Sequence, residues 1–293
     1  MLRDLALYAL VVVMMAAVGL HLSLDQLWSG LRRWIILALA VLANLVLMPM
    51  LVLGLSGLLA LPPGATTGLL VCAAAPGGPT GPLFARISRA DLGFATSLQV
   101  LLSVLALVSA PLTLELLGGS SERSLLWPMV QTLAQFQLLP LALGMAVRHR
   151  RPAWAERLGP PMGKLANLLL ALVVVGLLVT RGAALLDQGP GVHAALMALV
   201  LLPLAFGLAW PAGTTGRPTL VAAGMVTTVR NVSVALLLSA SFYARDPAVD
   251  VAILVWGFYM MVIPGLLAWR LDARARASAA AGPHHPDASV AAR

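Results

Sequence analysis

Two short runs of polar and helix-breaking residues are set inside otherwise apolar stretches of this chain. The first is Ala75-Pro76-Gly77-Gly78-Pro79-Thr80-Gly81-Pro82, and the second is Thr227-Thr228-Val229-Arg230-Asn231-Val232-Ser233. Three prolines and three glycines in the segment from Ala73 to Pro82 do not make one continuous helix. Each proline lacks a donor and clashes with the preceding turn, and each glycine weakens helical order, so two half-helices joined by extended backbone are expected. In hydrocarbon such backbone is tolerated only where it is buried in protein or lines a cavity, and free N–H and C=O groups lining a cavity are binding groups. The bland alternative is a proline kink with a packing role only.

Hydrolytic chemistry has no foothold. There is no His-Glu-x-x-His, no Gly-x-Ser-x-Gly beside a deep histidine and no pair of mid-span aspartates, so the chain is not read as an enzyme. A single cysteine, Cys72, excludes an internal disulfide and a thiolate metal cluster, and no cofactor or metal is expected. His284 and His285 are read as solvated, and His21 and His193 as headgroup-level residues. Gln131, Gln135, Gln137 and Asn167 are read chiefly as packing residues between helices.

The elements that must position the two runs follow from composition. Of 293 residues 60% are hydrophobic and 10% charged, and the mean hydropathy is +0.93. A soluble domain carries about 25% charged residues. This is an all-α polytopic membrane protein, and its net charge of +8 reports topology rather than nucleic-acid binding. Apolar stretches near 5–22, 33–56, 65–85, 92–117, 125–147, 162–186, 192–210, 218–243 and 249–271 predict nine spans of about 20 residues. Arg3 before the first stretch resembles a signal-peptide start, but no convincing cleavage site follows. Residues 1–272 are the expected transmembrane domain, and 273–293, rich in Ala, Pro, His and Arg, an expected disordered cytoplasmic tail.

Fourteen Lys and Arg residues fall in one set of alternating loops and the tail, four in the other, and Arg230 in neither. That bias places the amino terminus outside and the carboxyl terminus in the cytoplasm, in a plasma or inner membrane. Trp28, Trp34, Trp127, Trp154, Trp210 and Trp269 sit beside expected span ends; Trp256 does not. Each break lies one span before the end of its half of the chain, which suggests unequal inverted repeats, with a first helix missing. Arg230 is 13 residues from Arg217 and 15 from Arg245, roughly 20 Å from either end, beyond the reach of snorkelling. It must face the protein interior. Because side chains on a helix lean toward its amino end, Arg230 is expected beside Gly77 to Thr80.

Met14-Met15 through Gly19-Leu20-His21-Leu22-Ser23, Asn44 to Pro49, Ala75-Pro76-Gly77-Gly78, Arg89-Ala90-Asp91 and Gly224-Met225 together resemble the bile acid:sodium symporter superfamily. The resemblance spans residues 10–270. It implies a core domain and a panel domain, two discontinuous helices crossing at the substrate site, and nine spans in members lacking the first helix. It also exposes departures. Gly81 and Pro82 stand where sodium-coupled members have a serine and an asparagine, and Ala222 and Val226 where they have a glutamate and a glutamine. Ala95 and Gln99 replace a serine and a threonine, and Asn44 a glutamine. The resemblance therefore implies that sodium coupling in the family manner is lost.

The expected function is secondary transport of a small organic anion by alternating access. Alternatives are a sodium- or proton-coupled symporter of bile-acid-like or other organic solutes, or a channel-like membrane protein. Candidate substrate-binding residues are Gly77, Gly78, Pro79, Thr80, Gln99, Thr227, Thr228, Arg230, Asn231 and Asn44. Arg230 has two compatible roles, as a fixed replacement for the sodium charge or as an anion ligand. Partners are the substrate anion and membrane lipid, and the oligomeric state is not legible. The charge bias predicts that a reporter fused after Ala273 is active only in the cytoplasm; activity confined to the outer compartment would overturn the orientation.

Overall fold

The structure, a computed structural model, describes residues 2–22, 32–118, 125–186, 197, 200, 216–243 and 246–280. Its elements are helices, with no strand among the described residues. In chain order they are α1 (Leu2–His21), α2 (Trp34–Leu58), α3 (Pro63–Ala74), α4 (Thr80–Ile87), α5 (Leu92–Leu117), α6 (Leu126–Arg150), α7 (Pro152–Leu186), α8 (Arg217–Thr228), α9 (Val232–Phe242) and α10 (Pro247–Ala280). Six runs are long and apolar enough to cross a membrane: α2, α5, α6, Pro152–Leu177, Arg217–Phe242 and Pro247–Ala277. The segments Leu5–His21 and Pro63–Ala74 are shorter apolar helices. The chain is thus an all-helical polytopic membrane protein. The expected span 192–210 lies outside the described residues apart from Met197 and Val200.

Both expected breaks are present. The first lies between α3 and α4, and the second between α8 and α9. Two boundaries differ from the hydropathy reading. α7 starts at Pro152, ten residues before its apolar stretch, because proline is pre-organised for a first helical turn. α10 runs to Ala280, past the expected end of the membrane domain, on alanine-rich sequence with an Asp272–Arg276 pair one turn apart at 2.7 Å. Residues 281–293 lie outside the described residues.

α1 packs lengthwise on α6 and α7, α3 on α10, and α8 on α4 and α5. At the α1–α6 contact Gly19 and Gly144 let two backbones touch, since a methyl on either would run into the other helix's backbone. The α8–α9 run is the most enclosed, 89% buried, so the second break sits at the centre of the protein. At one end of the bundle Arg33 donates to Asp91 and to Thr219, and Asp91 caps α5 through the Phe94 N–H at 3.0 Å. The Asp91 N–H in turn donates to the Pro218 carbonyl at 3.2 Å, so the starts of α2, α5 and α8 are tied together.

α2 and α6 each contain a π-helical turn, Ala43–Leu47 and Ala134–Leu138. A proline follows two residues later in both, Pro49 and Pro140. The proline withholds an N–H and crowds the turn before it, and the wider turn accommodates that loss. Each wide turn carries a buried amide that reaches toward a broken helix. Asn44 Nδ2 donates to Thr227 Oγ1 at 3.0 Å, and Gln137 Nε2 to the Ser103 carbonyl at 2.8 Å. Ser103 Oγ donates onward to the carbonyl of Gly77 at 3.2 Å.

The breaks cross in direct contact. The Asn231 N–H donates to the Ala75 carbonyl at 2.8 Å. Gly77 has φ +79°, a left-handed conformation open to glycine. A methyl on Gly78 would overlap the carbonyl of Arg230. Gly78→Ala should therefore cost about 1–3 kcal/mol or more, because rigid backbone must give way. Gly54→Ala, where nothing lies within 4 Å, should be neutral or slightly stabilising. Thermal melts of both variants in detergent check this; an unshifted Gly78→Ala midpoint would show that the backbones do not touch.

Candidate functional site

Breaking a helix in two creates an extra amino end and an extra carboxyl end in the middle of the protein. At α4 and α9 the amino ends carry a partial positive charge. Both open on one cavity of about 570 Å³, lined by Pro79 and Thr80 from the first break and Arg230, Asn231, Val232 and Ser233 from the second. Its remaining wall is largely apolar, from Met14, Leu170, Val174 and α10 residues such as Leu254, Phe258 and Met260. A second cavity, of about 540 Å³, shares Met14, Pro79, Thr80 and Leu170 with the first. It is the more polar of the two, adding Thr96, Gln99, Arg86, His21 and Asn167. The Pro79–Thr80 turn therefore stands between two cavities.

Asn231 holds the start of α9. Its Oδ1 accepts from the Val234 N–H at 3.3 Å and from Ser233 Oγ at 2.7 Å, which caps the helix. Its Nδ2 is buried without a partner. Gln99, on α5, has its Nε2 in the same condition and lines the second cavity. Buried donors without acceptors cost about 1–3 kcal/mol each, and at a cavity wall a ligand recovers that cost.

Arg230 is completely buried. One terminal nitrogen donates to the Ala73 carbonyl at 3.3 Å, while Nε and the other terminal nitrogen have no partner. The guanidinium thus lies on the carbonyl end of α3, and Arg230 shares a cavity lining with Pro79 and Thr80, although not by the helix-direction argument. The reason is local: α9 begins at Val232, so Arg230 belongs to the extended linker, where side chains do not lean toward a helix amino end. A cation on a helix carboxyl end is electrostatically favourable.

The other expected site residues divide into two groups. Pro79, Thr80, Gln99, Arg230 and Asn231 reach a cavity. Gly77 and Gly78 build the crossing, Asn44 and Thr227 bond to each other behind it, and Thr228 Oγ1 turns back to the Gly224 carbonyl at 2.7 Å. Sequence reasoning missed Thr96 and Arg86 as cavity residues, placed His21 at the headgroup level, and read Asn167 chiefly as packing with lining a path as the alternative; all four line the second cavity. The Thr96 and Gln99 spacing, i and i+3 on one helix face, was the available signal. Gln131 and Gln135 line a separate cavity with Tyr8 and Ser241, whereas Gln137 bridges α6 to α5.

Ala222 and Val226 are fully buried, and a methyl on Gly81 would come 3.0 Å from the Val226 Cα. α8 and α4 are in van der Waals contact where the family resemblance implies oxygen ligands for sodium. Among the described residues no group of three His, Cys, Asp or Glu side chains is placed to hold a metal.

A family model described as sodium bile acid symporter family matches residues 8–188. A rice protein (Oryza sativa subsp. japonica) described as probable sodium/metabolite cotransporter BASS2, chloroplastic, is 25% identical over 193 residues. The match covers 64% of this chain and 46% of the rice protein, so the chain spans about half the length of that relative. With the family model covering more than half its length, this chain belongs to the sodium bile acid symporter family.

Proposed function

We propose that the protein is a secondary transporter of a small organic anion, working by alternating access. The observation that carries this is the convergence of two half-helix amino ends, at Thr80 and Val232, on one cavity whose lining residues include no carboxylate. Positive helix ends favour an anion, and the apolar wall accommodates an organic body. Nine spans, inverted repeats, a core moving against a panel, and an inner-membrane orientation with the carboxyl terminus inside complete the reading. The lengthwise packing of α1 on α6 and α7, with Met14 of α1 touching Ser233 at the second break, supports a panel that faces the crossing.

Coupling divides into two readings. The rice relative's name, a sodium/metabolite cotransporter, favours sodium. The contact of Val226 with Gly81, and the Arg230 guanidinium on the Ala73 carbonyl, favour sodium independence, because a fixed cation occupies the charge role and no oxygen cage faces it. We adopt the second.

Thermal-shift measurements on the purified protein with cholate, benzoate and pyruvate, each as sodium and as choline salts, test both claims. An anion at 100 times its Kd should stabilise the fold by about 2.7 kcal/mol, and equally with either cation. A shift seen only with sodium would overturn the coupling reading. Asn231→Asp keeps the cap acceptor but puts a carboxylate between the two positive helix ends. It should fold and weaken anion binding at least about tenfold, that is by 1.4 kcal/mol or more. Undiminished anion binding by a well-folded Asn231→Asp protein would reject the site.

A further inference from the structure

The inference drawn here rests on the transport reading above and concerns what Arg230 does to the transport cycle. Its guanidinium is fully buried, holds one carbonyl, that of Ala73, and leaves two nitrogens without acceptors. Among the described residues no carboxylate is paired with it; the buried Asp250 is hydrogen-bonded to Ser239 at 2.7 Å. The backbone around Arg230 is locked into the crossing, with its carbonyl against Gly78 and the next N–H bonded to Ala75. The positive charge is therefore covalently tethered to the moving centre of the protein.

We propose that this tether makes the protein an exchanger, trading one anion for another across the membrane, rather than a carrier that delivers substrate and returns empty. A cation that binds and leaves with its substrate lets the empty site return without charge. Arg230 does not leave. With a monovalent anion bound, the pair moves as a near-neutral unit. With the site empty, the same step drags an uncompensated charge and two unpaired donors through a low-dielectric interior. The empty return is then the slow step, and anion on the far side relieves it. A barrier difference no larger than one charge-assisted hydrogen bond already makes exchange about tenfold faster than net movement.

The experiment uses the full-length protein in liposomes, with whichever of radiolabelled cholate, benzoate or pyruvate gives the largest thermal shift. Uptake into vesicles preloaded with the same unlabelled anion should exceed uptake into unloaded vesicles at least about tenfold. An inside-negative potassium diffusion potential should slow net uptake, since the empty return carries positive charge outward, and leave exchange unchanged. Arg230→Gln retains a donor for Ala73 but no charge, and should weaken anion binding. The saturable flux it retains at high anion concentration should run equally fast into loaded and unloaded vesicles, a protein with no flux leaving the decision to the wild-type voltage comparison. Arg230→Lys should keep the two rates apart.

Equal wild-type rates in loaded and unloaded vesicles would overturn the exchange proposal and leave the transport reading standing. So would an Arg230→Gln protein that still moves anion only by exchange. If Arg230→Gln does not fold, the wild-type voltage comparison decides, and net uptake indifferent to the potential counts against the tethered charge. Absence of saturable flux of all three anions in both arms removes the transport reading, and exchange with it.

Discussion

Backbone polar groups left without water are the constraint on which this structure depends. Stopping a helix in the interior frees up to four N–H groups at one new end and four carbonyls at the other, and it happens twice within a few ångströms. The answer is mutual. The Asn231 N–H takes the Ala75 carbonyl, Asn231 caps α9 with its own side chain, and Ser103 takes the Gly77 carbonyl. Gly78 is required because the second break approaches so closely that its Cβ has no room, and Gly77 because the chain turns there with positive φ. Even the π-helical turns belong to this economy, since each presents a buried amide from a neighbouring helix to one of the breaks, Asn44 directly and Gln137 through Ser103. Among the polar side chains left without a partner, Gln99, Arg230 and Asn231 belong to residues that line the two cavities.

Charge is handled by the same geometry. A sodium site needs several oxygens around a mobile ion. Where the family resemblance implies such ligands this chain has Gly81, Pro82, Ala222 and Val226, and Gly81 packs closely on Val226. A guanidinium set on the carbonyl end of α3 places a positive charge at the crossing, the fixed cation on which the proposed sodium independence rests.

How much of this was legible in the sequence varies with the physics behind each feature. Proline and glycine act locally, so the first break could be read directly, the second from the polar residues interrupting an apolar span, and the α5 limits, Leu92–Leu117, from hydropathy. The depth of Arg230 was legible as well, from counting residues to the nearest charges. Its direction was not, because that depends on whether residue 230 lies in helix or linker, a one-residue matter settled by the Asn231 cap. The π-helical turns left no pattern beyond a proline downstream. Thr96 and Arg86 were passed over, and Asn167 was read chiefly as packing, because polar residues near span ends usually serve packing or the headgroup layer, and only the tertiary arrangement brings them to the Pro79–Thr80 turn. Proline at the start of α7 extended a helix where hydropathy alone saw a loop.

A charge count around the crossing narrows the substrate further. Each half-helix amino end is worth roughly +0.5 of a charge and each carboxyl end roughly −0.5, so the ends of α4 and α9 balance those of α3 and α8. Arg230 then leaves about one net positive charge, divided between the guanidinium behind the crossing and the helix ends facing the cavity. A monovalent anion closes that account. A neutral solute leaves the positive charge uncompensated, and a dianion brings a second charge for which the largely apolar wall of Leu254, Phe258 and Met260 offers nothing. On the transport reading proposed above, a preference for a single negative charge follows from the number of helix ends and one arginine, while the apolar wall, which makes no charge distinction, sets how bulky the rest of the molecule is allowed to be.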